Sequence, residues 1–176
     1  MTGTAAFRAL VLTVAAERLA ELAVSQRNLR WSRQRGGVEH GAGHYPPMVA
    51  LHVGLLAGAL AEAHVARRRV DPRLAWPMVT LVLASQALRW WCIRSLGPRW
   101  NTRVVVVPDL PLVTGGPYRF LRHPNYLAVV VEGAALPLAG SAWITATAFT
   151  ALNLPLLAVR IRAEDAALAL VRDSQP

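Results

Sequence analysis

Residues 124–159 read PNYLAVVVEGAALPLAGSAWITATAFTALNLPLLAV, and Glu132 is the one charged residue in the run. A single membrane crossing needs about 20 apolar residues, so this stretch is too long for one span and has room for two. Gly140 and Ser141 divide it. A helix over residues 124–139 at about 1.5 Å per residue is roughly 24 Å long, a little short of a hydrocarbon core of about 30 Å. The reading is a helical hairpin: a short helix, a turn at Gly140, and a longer helix that Pro155 is expected to kink and that continues into the polar stretch 160–172. Backbone groups in lipid must be satisfied within their own segment, so the fold class is all-α and integral membrane.

Working upstream, three further apolar runs occupy residues 4–26, 46–66 and 74–96, giving about five transmembrane helices in a single domain over 1–176. Residues 1–96 supply three helices, 97–123 a polar segment, and 124–176 the hairpin and C-terminal helix. The first run carries Glu17, Arg18 and Glu21 near its end and lacks a basic start with a small-residue cleavage site, so it is not read as a signal peptide. The 176 residues are 54% hydrophobic and 16% charged, against about a quarter charged in soluble domains. Mean hydropathy is +0.33. The net charge of +9 would suit nucleic acid on a soluble surface, but not in a chain spent mostly on apolar runs, so nucleic acid is excluded as a partner.

All 19 basic residues are arginine. With five crossings, Arg27, Arg30, Arg33, Arg35, Arg94, Arg99, Arg103, Arg119, Arg122, Arg160, Arg162 and Arg172 fall on one side. Arg8, Arg67, Arg68, Arg69 and Arg73 fall on the other. The richer side is expected to be cytoplasmic, which puts the C-terminus and the polar segment there. The lone Cys92 excludes an internal disulfide framework and reads as a buried thiol.

The polar segment 97–123 holds a β-branched run, Val104 to Val107, suited to a short extended stretch. Pro108, Asp109 and Pro111, then Thr114, Gly115, Gly116 and Pro117, supply turns. Tyr118, Arg119, Arg122, His123, Asn125 and Tyr126 follow as the densest polar cluster. Pro124 suits the first turn of a helix, whose positive N-terminal end beside Arg122 and His123 attracts anions.

The stretch Leu112-Val113-Thr114-Gly115-Gly116-Pro117-Tyr118-Arg119-Phe120-Leu121-Arg122-His123-Pro124-Asn125-Tyr126 resembles the signature of the isoprenylcysteine carboxyl methyltransferase family. These are integral-membrane enzymes that use S-adenosyl-L-methionine. Arg160-Ile161-Arg162-Ala163-Glu164-Asp165 resembles the family's terminal Arg with acidic residues four positions on. The resemblance spans Leu88 onward. It implies cofactor contacts from Leu110 to Val113, among them Leu112 and Val113, and from Tyr118, Arg122, His123, Pro124, Asn125 and Tyr126. It implies Glu164 as the acidic cofactor-binding residue, Arg160 as the acceptor-substrate residue, and a weaker contact near Arg103. The chemistry agrees: a carboxylate tail suits His123 and the free N–H groups of a helix start. No Gly-x-Gly-x-x-Gly follows a strand, so a Rossmann-type methyltransferase is not supported.

Short bacterial members of the family that act with type III polyketide synthases look closest in length, which implies an alkylpyrone or alkylresorcinol hydroxyl as the lipophilic acceptor drawn from the bilayer. A phenol needs a base where a carboxylate does not. Glu132, ionisable at membrane depth, is the candidate to orient or deprotonate it. Residues 166–176 carry no aromatic where the family's eukaryotic pattern continues into an aromatic, basic tail, so a small lipid is expected over a prenylated protein. Carboxyl methylation of isoprenylcysteine, phospholipid amine methylation and a silent membrane scaffold are the alternatives.

Blander readings stand beside these. Arg119 is expected to be only an anchor, and Trp90, Trp91 and Trp100 interfacial belt residues. Glu17, Arg18 and Glu21 pair between helices, and Asn153 is interhelical glue. Glu164 and Asp165 read alternatively as a solvated helix surface. His52, Glu62 and His64 are spaced too poorly for one helix face to bind metal, and no metal is expected.

Overall fold

The computed structural model describes residues 2–66, 70–108 and 110–173. Arg67, Arg68, Arg69 and Asp109, and the Arg172 side chain, which entered the orientation and segment readings, lie outside what is described. Within it are five α-helices: α1 Thr2–Arg33, α2 Tyr45–Val65, α3 Pro72–Leu96, α4 Pro124–Ala139 and α5 Trp143–Asp173. Two are long and apolar enough to cross a membrane, as the spans Ala42–Val65 and Trp143–Leu170; α4 is a shorter apolar helix. The other two have the length, but α1 interrupts its apolar run with Glu17, Arg18 and Glu21, and α3 with Gln86 and Arg89.

Helix starts follow local chemistry. Asp71 caps α3 by accepting from the Arg73 N–H at 2.9 Å, with proline at the first position. Pro124 likewise stands at the first position of α4, whose start has no side-chain cap. The N-terminus of α5 is capped from another helix: the Glu62 carboxylate of α2 accepts from the Ile144 N–H at 3.1 Å and the Thr145 N–H at 2.8 Å. That contact gives Glu62 a structural role at the far end of the hairpin. The turn between α4 and α5 falls at Gly140 to Ala142, with Ser141 left-handed at φ 58°. The longer helix runs through Pro155 without interruption.

The apolar core joins Phe7, Val11 and Val14 of α1 to Ala59, Val82, Ala135, Leu136 and Ala139. Small residues on α4 let its neighbours approach closely. A Cβ placed on Gly133 would lie 2.0 Å from Cε1 of the Phe149 ring on α5.

One element departs from an all-helical plan. Val38–His40 (β1), in the α1–α2 connection, pairs antiparallel with Val104–Val106 (β2), matching Val38 with Val106 and His40 with Val104. The β-branched run is thus a true strand, and its partner comes from the opposite half of the chain. Trp100 also differs from the belt reading: it is buried, and its carbonyl accepts from Asn28 Nδ2 at 2.8 Å. Trp90 donates its indole N–H to Glu17, while Trp91 is half-exposed.

Gly133→Ala should destabilise by about 1–3 kcal/mol through overpacking against Phe149. Gly54→Ala, where nothing lies within 4 Å, should be neutral or stabilising in the same helical setting. Thermal unfolding in detergent measures both.

Candidate active site

A cavity of about 600 Å³ lies where the polar segment 96–114 crosses the start of α4 and the end of α5. Val104 to Val107, Leu112 and Val113 give it an apolar wall, and Tyr118, Arg122, His123, Asn125, Tyr126, Arg160 and Glu164 give it polar groups. Sequence motifs separated by the whole hairpin therefore meet at one place. The volume and mixed lining suit a small amphipathic ligand.

Each group is positioned by a local device. A 3-10 turn over Gly116–Arg119 carries Tyr118 inward. Gly116 sits at φ 62°, where a Cβ would lie 2.1 Å from the Ser95 hydroxyl, so only glycine fits. The Tyr118 phenol lies within hydrogen-bonding reach of the buried Cys92 thiol, and burial holds that phenol well above its ordinary range. Arg99 ties the segment down by donating to the Pro111 carbonyl at 2.5 Å. Pro124 is fully buried and starts the helix without lining the cavity. Arg122 is exposed at the rim, and Arg119 lies over the Phe120 ring at 5.0 Å, away from the lining.

Helices α4 and α5 are joined at the cavity by a compact polar group. Arg160 Nε donates to the Tyr126 hydroxyl at 2.8 Å, and Arg160 Nη1 reaches Met48 Sδ at 3.3 Å. The Tyr126 hydroxyl donates to Glu164 Oε2. His123 stacks on Tyr126 at 5.4 Å, with Nδ1 3.6 Å from Glu164 Oε1 and Nε2 3.1 Å from Asp165 Oδ1. The hydrogen bond to Glu164, followed by the charges of Glu164 and Asp165, outweighs burial and raises the His123 pKa above its ordinary 6.5. Glu164 and Asp165 are thus more than a solvated surface.

Glu132 is elsewhere. Its carboxylate accepts from Arg18 Nη2 at 2.5 Å and from Arg89 Nη2 at 3.1 Å, and Glu21 completes the group with Arg18 at 2.5 Å and Arg89 at 3.4 Å. It does not line the cavity. Its oxygens are already engaged by two guanidiniums and it stands outside the cavity, so the geometry does not favour it as the base. The expectation that Glu17, Arg18 and Glu21 pair between helices describes what is seen. Asn153 is buried within the bundle.

Sequence reading missed the brace behind the apolar wall. Asn28 of α1 also donates to the Gly97 carbonyl at 3.2 Å, Ser25 bonds Asn101 and Thr102, and Arg103 pairs with Glu39 of β1 at 2.7 Å while lying 4.1 Å over the Tyr45 ring. Polar residues at 25 and 28, one turn apart on a helix, were the available signal. Among the described residues no group of three or more His, Cys, Asp or Glu gathers as a metal site would.

S-adenosyl-L-methionine can be tested against this lining. Asn125 Oδ1 is buried with no hydrogen-bond partner, and the start of α4 has no side-chain cap. An unpaired acceptor and an uncapped helix N-terminus match an ammonium and a carboxylate, and the valine wall matches a purine, so the residues fit the group.

The model of the isoprenylcysteine carboxyl methyltransferase (ICMT) family matches residues 78–170. The chain is 37% identical to "Uncharacterized protein YpbQ" of Bacillus subtilis (strain 168) over 163 residues, covering 92% of this chain and 96% of that protein. It is 25% identical over 157 residues to an uncharacterized protein of Haemophilus influenzae, covering 89% of this chain and 91% of the relative. No solved structure matches.

Two outcomes follow from the geometry. Arg89→Leu leaves Glu21 and Glu132 short of a buried counter-charge and should cost about 3–5 kcal/mol, read by thermal unfolding in detergent. Folded His123 titrates above its unfolded counterpart, so its pairs with Glu164 and Asp165 add stability that is complete below about pH 6.5 and fades as pH rises through the folded value. The stability margin of the wild type over His123→Asn should therefore shrink as pH rises above about 6.5.

Proposed function

Since the chain belongs to the isoprenylcysteine carboxyl methyltransferase family, we propose that it is an integral-membrane, S-adenosyl-L-methionine-dependent O-methyltransferase acting on a lipophilic acceptor. The observation that carries this reading is the single cavity where the residue 112–126 motif meets Arg160 and Glu164.

S-adenosyl-L-methionine would supply an electrophilic methyl group. Arg122 and the uncapped start of α4 would take its carboxylate, with His123 holding Glu164 beside them, and Asn125 Oδ1 would accept from its ammonium. The wall of Val104 to Val107, Leu112 and Val113 would hold the adenine, and Tyr118 and Tyr126 line the same cavity. Glu164 is the acidic member of the cofactor set. Arg160, buried and aimed at the same cavity, holds the acceptor oxygen. Displacement at a methyl carbon asks mainly for alignment and exclusion of water, which a cavity between helix ends provides.

The acceptor reaches the site from the bilayer, and the cofactor from the cytoplasm if the arginine-rich side faces inward. A long-chain alkylpyrone or alkylresorcinol hydroxyl is the acceptor we favour, with a type III polyketide synthase as its source. The family description favours isoprenylcysteine carboxyl methylation as the second reading.

Purified protein in detergent should bind labelled S-adenosyl-L-methionine saturably. His123→Ala and Glu164→Ala should each weaken binding roughly 10–100-fold, as loss of a charge-assisted hydrogen bond implies. Arg160→Ala should bind cofactor yet lose acceptor methylation. Absence of saturable binding, or binding untouched in both His123→Ala and Glu164→Ala, defeats the catalytic reading and favours a scaffold.

A further inference from the structure

Methylation of a hydroxyl releases a proton, whereas methylation of a carboxylate does not. A continuous line of polar contacts leaves the cavity and reaches solvent. It begins at the Tyr126 hydroxyl, which accepts from Arg160 Nε at 2.8 Å and donates to Glu164 Oε2. It passes from Glu164 Oε1 to His123 Nδ1 at 3.6 Å and from His123 Nε2 to Asp165 Oδ1 at 3.1 Å. The Asp165 side chain is 53% exposed. A hydroxyl oxygen has two acceptor lone pairs. Arg160 uses one on Tyr126, and the other is available to a donor in the cavity that Tyr126 lines.

We propose that Tyr126, Glu164, His123 and Asp165 form a proton exit that fits this site to hydroxyl acceptors. The proposal rests on the methyltransferase reading above. As the acceptor oxygen bonds to the methyl carbon, the carbon–sulfur bond breaks and its electron pair returns to sulfur. The acceptor's proton passes to the Tyr126 oxygen while the proton already on Tyr126 passes to Glu164 Oε2. His123, in its neutral form with the proton on Nε2, gives that proton to Asp165 and takes the Glu164 proton at Nδ1. Asp165 yields its proton to water. Tyr126, Glu164 and Asp165 end as they began, His123 ends with its proton on Nδ1 until exchange with water restores the Nε2–H form, and one proton has moved from acceptor to solvent.

The surroundings suit the transfer. Tyr126 is faced by Arg160 and Glu164 from α5 and by the His123 ring. Met48 of α2 lies against Arg160, and His44 is within electrostatic reach of Arg160 and Glu164. Arg160 stabilises negative charge on the phenol oxygen during the transfer. Glu164 receives the proton at Oε2 and faces His123 with Oε1, so its carboxyl group turns between receiving and releasing the proton.

The test compares two probes on the full-length protein in detergent with labelled S-adenosyl-L-methionine: a long-chain 5-alkylresorcinol and N-acetyl-S-farnesylcysteine. The readout is the ratio of kcat/KM for hydroxyl over carboxylate. Tyr126→Phe should lower that ratio by about 100-fold or more, the range of a lost acid–base path. Asp165→Asn, at an exposed position where folding is not at risk, should lower it about 10-fold, with recovery on adding imidazole buffer. A solvent deuterium isotope effect should appear with the resorcinol and not with the carboxylate. A ratio unchanged in Asp165→Asn or in folded Tyr126→Phe overturns the proton exit alone, as does a wild type that methylates only the carboxylate probe. A wild type with no saturable cofactor binding overturns the underlying methyltransferase reading instead.

Discussion

Two arginines and two glutamates meet among apolar helices, and the arrangement of the bundle depends on their meeting. Arg18 and Glu21 come from α1, Arg89 from α3 and Glu132 from α4. None of these charges is tolerable alone in the bundle interior, because an unpaired buried ion costs several kcal/mol. Each helix is acceptable only when the other two are in place and in register. The group therefore acts as a selector for one packing, and it accounts for the charged residues inside α1 and α3.

That register has a direct effect on the cavity. Arg89 lies one turn before Cys92, and Cys92 sits against Tyr118; Glu132 lies on the same helix as Tyr126, nearly two turns farther along. Fixing Arg89 against Glu132 fixes the height at which Tyr118 and Tyr126 stand beside each other. The polar centre deep in the bundle thus sets the geometry of the site while remaining outside it.

The helices were legible because their signals are local and additive. Apolar run length, Pro124 at a helix start and the Gly140 break gave boundaries close to those observed for α2, α3 and α4, whereas α1 runs on to Arg33, past the apolar stretch that ends at residue 26. The clustering of residues 112–126 with Arg160 and Glu164 was legible through motif spacing and family resemblance, not through periodicity. What escaped was set by contacts far apart in the chain. Nothing near Glu132 announces that Arg18 and Arg89 will occupy it, so an isolated carboxylate looked like chemistry. Nothing near Trp100 says that Asn28 will hold its carbonyl inside, so it looked like a belt residue. Asp165 gained its meaning only when His123 was brought beside it.

The β1–β2 ribbon has a temporal side. Its two strands are separated by the whole of α2 and α3, so none of its ladder bonds is local and each must wait for a large loop to close. By the time Val104 emerges during synthesis, the segment carrying Val38 to His40 and the two helices around it already exist. The second strand is then added to an edge that is waiting for it. The valine wall of the cavity is thus tied to the first half of the chain, and its strand pairing cannot form until that half is present.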